Sequence, residues 1–199
     1  DRALARGAVL VTTMTDGEIT EALASGDFGI GAPGFDLEEQ LQPTSIDLRI
    51  AHEFRTYRFT PRVGEALDPR DLSPGDTELH VVPSGQWWLL EPGEFVLGTT
   101  VETVVLGPQV LGRVEGRSTY GRLGVTAHIT AGFIDPGFEG QITLEIANLN
   151  SRPVILRPGA RICQLSLEML SRPCARPYGF AGNKYQNQRG VQGPRSDTR

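Results

Sequence analysis

Cysteine is nearly absent from this chain: Cys163 and Cys174 are the only two among 199 residues. Two thiols build no disulfide framework, and so few suit a reducing compartment. Zinc ligands are equally scarce. None of His52, His80 or His128 opens an H-x-E motif, and Cys174 is followed by Ala-Arg-Pro, so no zinc site is readable. Long apolar runs are missing too; a bilayer-spanning helix needs about 20 such residues. The charged start, Asp1 to Gly7, and the short apolar Val9-Leu-Val11 do not make a signal peptide. These absences predict a soluble, cytoplasmic protein with no membrane partner. Positive charge is in deficit, with a net charge of −5. That argues against a nucleic-acid partner, which needs a broad basic surface. A local cluster of arginines can still hold a small anion, and Arg113, Arg117 and Arg122 form one in the sequence.

What is abundant is punctuation: 24 glycines and 14 prolines between short apolar stretches. Ser45–Ile50 alternates apolar and polar residues, as a strand with one buried face does. Trp87–Leu90 and Phe95–Thr100 flank Glu91-Pro-Gly-Glu94, a turn between two strands. Val154–Leu156, the Arg157–Ala160 turn and Ile162–Met169 repeat the pattern. Gln141–Ile146 alternates strictly, with Ile142, Leu144 and Ile146 on one face. One short helix is expected after Thr15, because Thr15 and Glu18 have capping-box spacing and Ser25-Gly26 stops the run. Many short strands indicate a mainly β barrel or sandwich in a single domain. Gly64 to Gly75 reads as a surface insertion. Residues 1–13 read as an N-terminal arm, 14–177 as the domain and 178–199 as a polar C-terminal tail with little to bury. Such a tail is either disordered or a flap; Lys184, Tyr185 and Gln188 suit a flap that closes over a ligand.

The chemistry gathers in about thirty residues. Glu115-Gly-Arg-Ser-Thr-Tyr-Gly-Arg122 is a glycine-flanked loop with hydroxyls and two arginines. Glycines let backbone N–H groups approach an anion, and the guanidinium fork binds phosphate. Next come His128-Ile-Thr-Ala-Gly-Phe-Ile-Asp-Pro-Gly137 and Thr143-Leu-Glu145. Periodicity alone makes Glu145 an ordinary exposed strand glutamate as readily as a functional group. A functional carboxylate here must be partly desolvated and able to exchange protons with water.

In order and spacing these segments resemble the dCTP deaminases, the deaminating branch of the trimeric dUTPase superfamily. That family carries R-S-S-x-[GA]-R-L-G, then H-x-T-A-x-x-I-D-P-G, then a strand ending in L-E. The similarity extends upstream to Gln42-Pro-Thr-Ser-Ile-Asp-Leu-Arg49 and downstream to Arg176-Pro-Tyr178 and Lys184-Tyr-Gln-Asn-Gln188. It implies a dUTPase-like distorted β-barrel, a homotrimer with sites between subunits, and hydrolytic deamination of dCTP. Glu145 is then the acid/base, Ser118 and Arg122 assist it, and the carbonyl of Ala131 positions water. Arg117, Ser118, Thr119, Tyr120, Gly121, Arg122, Asp135, Thr143, Leu144, Glu145, Gln164, Tyr178, Lys184 and Gln188 match nucleotide-contacting positions. Thr119 stands where the family usually has serine, and Tyr120 where a smaller apolar residue is frequent.

The resemblance also implies Mg2+ brought in by the triphosphate, no zinc, dUTP as a further ligand and dTTP as a candidate inhibitor. Members that stop at dUTP carry a bulky pair, typically His-Arg, after the Thr-Ala. Gly132 and Phe133 stand there instead, as in members that also cleave the triphosphate to dUMP. Gly132 leaves room near the water, and Phe133 places no cation there. Three rivals stand beside this reading: a deaminase releasing dUTP, a plain dUTPase, and a silent nucleotide-binding relative.

Overall fold

A computed structural model describes residues 12–57, 66–180 and 182–197. In chain order the elements are β1 (Thr12–Thr13), α1 (Asp16–Ser25), β2 (Phe28–Gly31), α2 (Leu37–Gln40), β3 (Leu41–Gln42), β4 (Ser45–Arg49) and β5 (Glu53–Tyr57). They continue with β6 (Thr77–Val81), β7 (Trp88–Leu90), β8 (Phe95–Leu106), β9 (Val110–Gly116), α3 (Ser118–Arg122), β10 (Val125–Thr126) and β11 (Phe133–Ile134). The last are β12 (Glu139–Asn148), β13 (Val154–Leu156) and β14 (Arg161–Met169). The protein is mainly β, as expected. One six-stranded sheet runs β11-β9-β14-β4-β3, with β1 on β14. A second runs β10-β12-β8-β5-β6, with β2 on β8. The bridge Ile50–Thr100 links them. The strands thus form two large sheets joined at this bridge, with β7 and β13 as a separate two-stranded ribbon.

The strict alternation of β12 makes it a central strand. Ile142, Leu144 and Ile146 enter the core, while Gln141, Thr143 and Glu145 face the other way. β4 and β14 contribute Ile46, Leu48, Ile162, Leu165 and Leu167 to the same core. α1 starts where the cap spacing puts it. The Glu18 carboxylate accepts from Thr15 N–H at 2.8 Å, Thr15 Oγ1 accepts from Glu18 N–H at 3.4 Å, and Gly26 ends the helix at φ 83°. Its Ile19 and Ala22 are buried.

Both Pro-Gly turns join two strands as expected; what the sequence reading leaves open is the pairing, and two further features depart from it. The strands on either side of each Pro-Gly turn are not partners: β7 pairs with β13, while β8 pairs with β12, β5 and β2. The turns reverse the chain, but burial of Leu90 and Leu156 beneath the β7–β13 ribbon decides the pairing. Thr12 and Thr13, counted with the arm, form β1 against Met169 and Glu168; residues 1–11 lie outside the described residues.

The tail also buries more than its composition indicates. Val191 is 3% exposed and Gln188 8%. Gln188 O accepts from Gln141 N–H at 3.1 Å, Gly190 N–H donates to Gln141 Oε1 at 2.6 Å, and Arg55 Nε donates to the Val191 carbonyl at 3.0 Å. The 64–75 insertion, of which 64 and 65 are not described, grips the tail's far end. Ser196 Oγ bonds both Leu72 N–H and Leu72 O, and Asp197 N–H donates to the Pro69 carbonyl at 2.7 Å. Among the described residues no helix is long and apolar enough to cross a membrane.

Candidate active site

The outward face of β12 borders a cavity of about 290 Å3 whose lining includes Thr143, Glu145, Ala131, Phe133, Asp135, Tyr178 and Gln188. Glu145 is half-buried. Its Oε2 accepts a hydrogen bond from Ile129 N–H at 3.1 Å, which fixes the carboxylate from one side. Thr143 follows an irregularity where β8 loops out between Thr99 and Thr103, so the ladder shifts register beside it. Its hydroxyl is buried without a partner among the described residues, at the cavity wall. An unsatisfied buried hydroxyl is costly and marks a point where a ligand can bond. Tyr178 packs edge-on against Phe138, with centroids 5.7 Å apart, and its hydroxyl accepts from Tyr185 N–H.

Several lining residues were not selected from sequence. Tyr57, from β5, faces the cavity, and burial pushes its phenol above the usual range, with the nearby Glu145 carboxylate adding to the effect. It therefore stays protonated and can donate. Phe95, Leu97 and Ile142 supply an apolar wall, and Gln192, Gly193 and Pro194 of the tail close one side. Tyr57 had no local signal; only the β5–β8–β12 pairing brings it close. His128, by contrast, opens the His128–Gly137 motif.

The arginine loop lies elsewhere. β9 ends at Gly116 and runs into α3, and none of residues 117–122 lines the cavity of their own chain. Ser118, Thr119, Gly121 and Arg122 are exposed, while Tyr120 turns its ring against the core. Burial pushes the Tyr120 phenol up, partly offset by Arg117. Arg117 points inward to the buried carboxylate of Asp47, with Nε 3.1 Å from Oδ1. Burial pushes the Asp47 carboxyl up, opposed by Arg117 and Arg161. Gln164 sits on β14 between Asp47 and Glu115. Leu144 is fully buried in the core, so only its backbone is available to a ligand. Lys184 pairs with Asp197 at 3.2 Å and does not line the cavity.

Gly132 and Phe133 behave differently from the sequence reading. A Cβ at Gly132 would lie 3.1 Å from His128 Cε1 and 3.3 Å from the Val114 carbonyl, so glycine leaves room for the histidine ring. Phe133 carries no charge, yet a cation does lie there. Its strand partner Arg113 stacks over the ring, with the guanidinium carbon 4.2 Å from the centroid, and pairs with Glu168. Among the described residues no group of three or more His, Cys, Asp or Glu side chains is arranged to hold a metal ion.

The architecture has a solved counterpart. The structure of 2'-deoxycytidine 5'-triphosphate deaminase from Agrobacterium tumefaciens matches with a TM-score of 0.60 at 23% identity, over 80% of this chain and 48% of that chain. The two chains share this fold. At the sequence level the match is closer. A family model described as dCTP deaminase-like matches residues 13–170, and the chain belongs to that family. A relative from Dictyoglomus thermophilum, named "dCTP deaminase, dUMP-forming", is 46% identical over 179 residues, 89% of this chain and 91% of the relative. A "dCTP deaminase" from Halorubrum lacusprofundi is 44% identical over 186 residues, 92% of this chain and 90% of the relative.

Proposed function

We propose that the protein deaminates dCTP at cytosine C4 and also cleaves the triphosphate, releasing ammonia, pyrophosphate and dUMP. The observation that carries this is Glu145, the carboxylate of β12 that lines the cavity, fixed by Ile129 N–H beside an apolar wall. Glu145 takes a proton from water as the oxygen bonds to C4 and passes it to N3, which receives the C4–N3 π pair. It then takes the C4 hydroxyl proton and gives it to the amino group, so the C4–N4 bond breaks, the C4 carbonyl forms and ammonia leaves. A second water attacks the α-phosphorus, and the bond to the bridging oxygen breaks, freeing pyrophosphate.

Ser118 and Arg122 stabilise the developing charge, and the Ala131 carbonyl orients water. Their loop does not line its own chain's cavity, which supports a homotrimer with each site shared between neighbours. Arg117 to Arg122, Asp135, Thr143, Gln164, Tyr178, Lys184 and Gln188 form the nucleotide-binding set. Mg2+ would arrive on the triphosphate and would offset its charge. Dispensing with zinc, a cytoplasmic setting and inhibition by dTTP belong to the same proposal.

Phosphorus NMR of dCTP with Mg2+ tests the reaction. Pyrophosphate and dUMP appear together with ammonia. Accumulating dUTP reduces the protein to a deaminase, pyrophosphate from dUTP alone makes it a dUTPase, and no product makes it a binding relative.

The tail gives a separate expectation. Removing residues 184–199 raises KM for dCTP by about tenfold, or ~1.4 kcal/mol. It also lowers the melting temperature slightly, because Gln188 and Val191 lose their buried places. Unchanged KM in the truncated protein, measured beside its thermal melt, removes the tail from substrate capture.

A further inference from the structure

Two interior carboxylates take no part in the reaction above: Glu102, which Gln40 and Arg49 satisfy, and Asp47. Asp47, on β4, is 1% exposed, and neither of its oxygens has an aligned hydrogen-bond donor among the described residues. Two arginines from other elements face it. Arg117 Nε is 3.1 Å from Oδ1, and Arg161 Nη1 is 3.6 Å from Oδ2. A buried ion pair costs its desolvation, and an apolar set of the same volume often serves stability as well. Its use is then sought in what it orients.

Arg117 is the residue that caps α3, the last one before Ser118. Its backbone N–H donates to the Ile162 carbonyl at 3.3 Å and its Nη1 to the Arg161 carbonyl at 3.2 Å. Arg161 is itself tied to the Glu39 carbonyl through Nη1 at 2.7 Å. α3 has no side-chain cap at its start, and its other polar residues are exposed. The side-chain anchor at the loop's entry is thus the Asp47–Arg117 pair.

We propose that Asp47 is a positioning residue: clamped between Arg117 and Arg161, it fixes the direction in which Ser118 to Arg122 leave the sheet, and so acts on dCTP without touching it. This rests on the function proposed above for those loop residues. Asp47→Asn keeps the shape and removes the charge, so the arginines lose their counter-ion and the loop its aim. Arg161→Gln, at a partly exposed position, is the milder variant that spares the fold.

Amide hydrogen exchange without nucleotide reads the loop directly. In Asp47→Asn, exchange at residues 118–122 rises by about tenfold while residues 141–146 on β12 keep their protection. In dCTP kinetics kcat/KM falls at least about tenfold, through a rise in KM and a fall in kcat, because the loosened loop carries both nucleotide contacts and the Ser118 and Arg122 groups that act in the transition state. Adding Asp47→Asn to Arg117→Ala raises KM no further, since Asp47 acts through that arginine. Arg161→Gln moves exchange and KM the same way by a smaller factor. Exchange that is unchanged at 118–122, or that rises equally across β12, overturns the proposal; so does an additive double variant. A wild-type protein that does not turn over dCTP overturns the function instead, and the exchange pattern still decides whether Asp47 holds the loop.

Discussion

Glu145→Gln is expected to bind dCTP with nearly wild-type affinity and to release ammonia roughly 10²–10⁴ times more slowly, the range that a positioned acid/base supplies. The amide has the carboxylate's shape, and its oxygen can still accept from Ile129 N–H, the bond that fixes Glu145 in the cavity. What it cannot do is take a proton from water and return it to the leaving amine. The loss should therefore fall on kcat, with the dissociation constant from titration calorimetry little changed. Ammonia release within about tenfold of wild type would be too small for a lost acid/base and would remove Glu145 from the proton transfers.

Replacing Arg122 has the second largest expected effect and a different signature. The residue is exposed at the end of α3 in its own chain. Arg122→Ala should therefore leave the melting temperature almost unchanged, since such surface changes cost about 0.5 kcal/mol or less. In the proposed shared site its charge reaches a neighbour's cavity and meets polar groups that develop charge as C4 is attacked. Loss of such a donor lowers kcat/KM by about 10²–10³, through both kcat and KM. Arg122→Lys recovers only part, because a point charge lacks the planar fork. Mixing Glu145→Gln and Arg122→Ala chains supplies the decisive control. Each is nearly inactive alone, but a shared site restores roughly a quarter of wild-type activity in randomly reassembled trimers, where one interface in four joins two intact contributions. No recovery on mixing would put both residues in one chain's site and remove the shared cavity.

Where the pattern is local, the chain announces its structure. The alternation of Gln141–Ile146 shows which residues of β12 enter the core and which, Glu145 among them, face away. The Thr15–Glu18 cap and Gly26 bound α1. Spaced motifs from Gln42 to Gln188 are sufficient to point to the family. Such features depend on neighbours within a few residues, where period, capping and turn chemistry act.

Tertiary structure alone decided the rest. It separated β7 from β8 and paired β7 with β13, although a Pro-Gly turn lies between the first two. It brought Tyr57 to the cavity of Glu145, kept residues 117–122 out of that cavity, and laid Gln188 and Val191 of a polar tail against the sheet. It also placed Arg113 over Phe133 and turned Arg117 toward Asp47. Each of these is a meeting of segments well separated in sequence. Their pairing is selected by burial of a whole face and by neutralisation of interior charge, energies that belong to the assembled core and leave no periodic mark on either segment by itself.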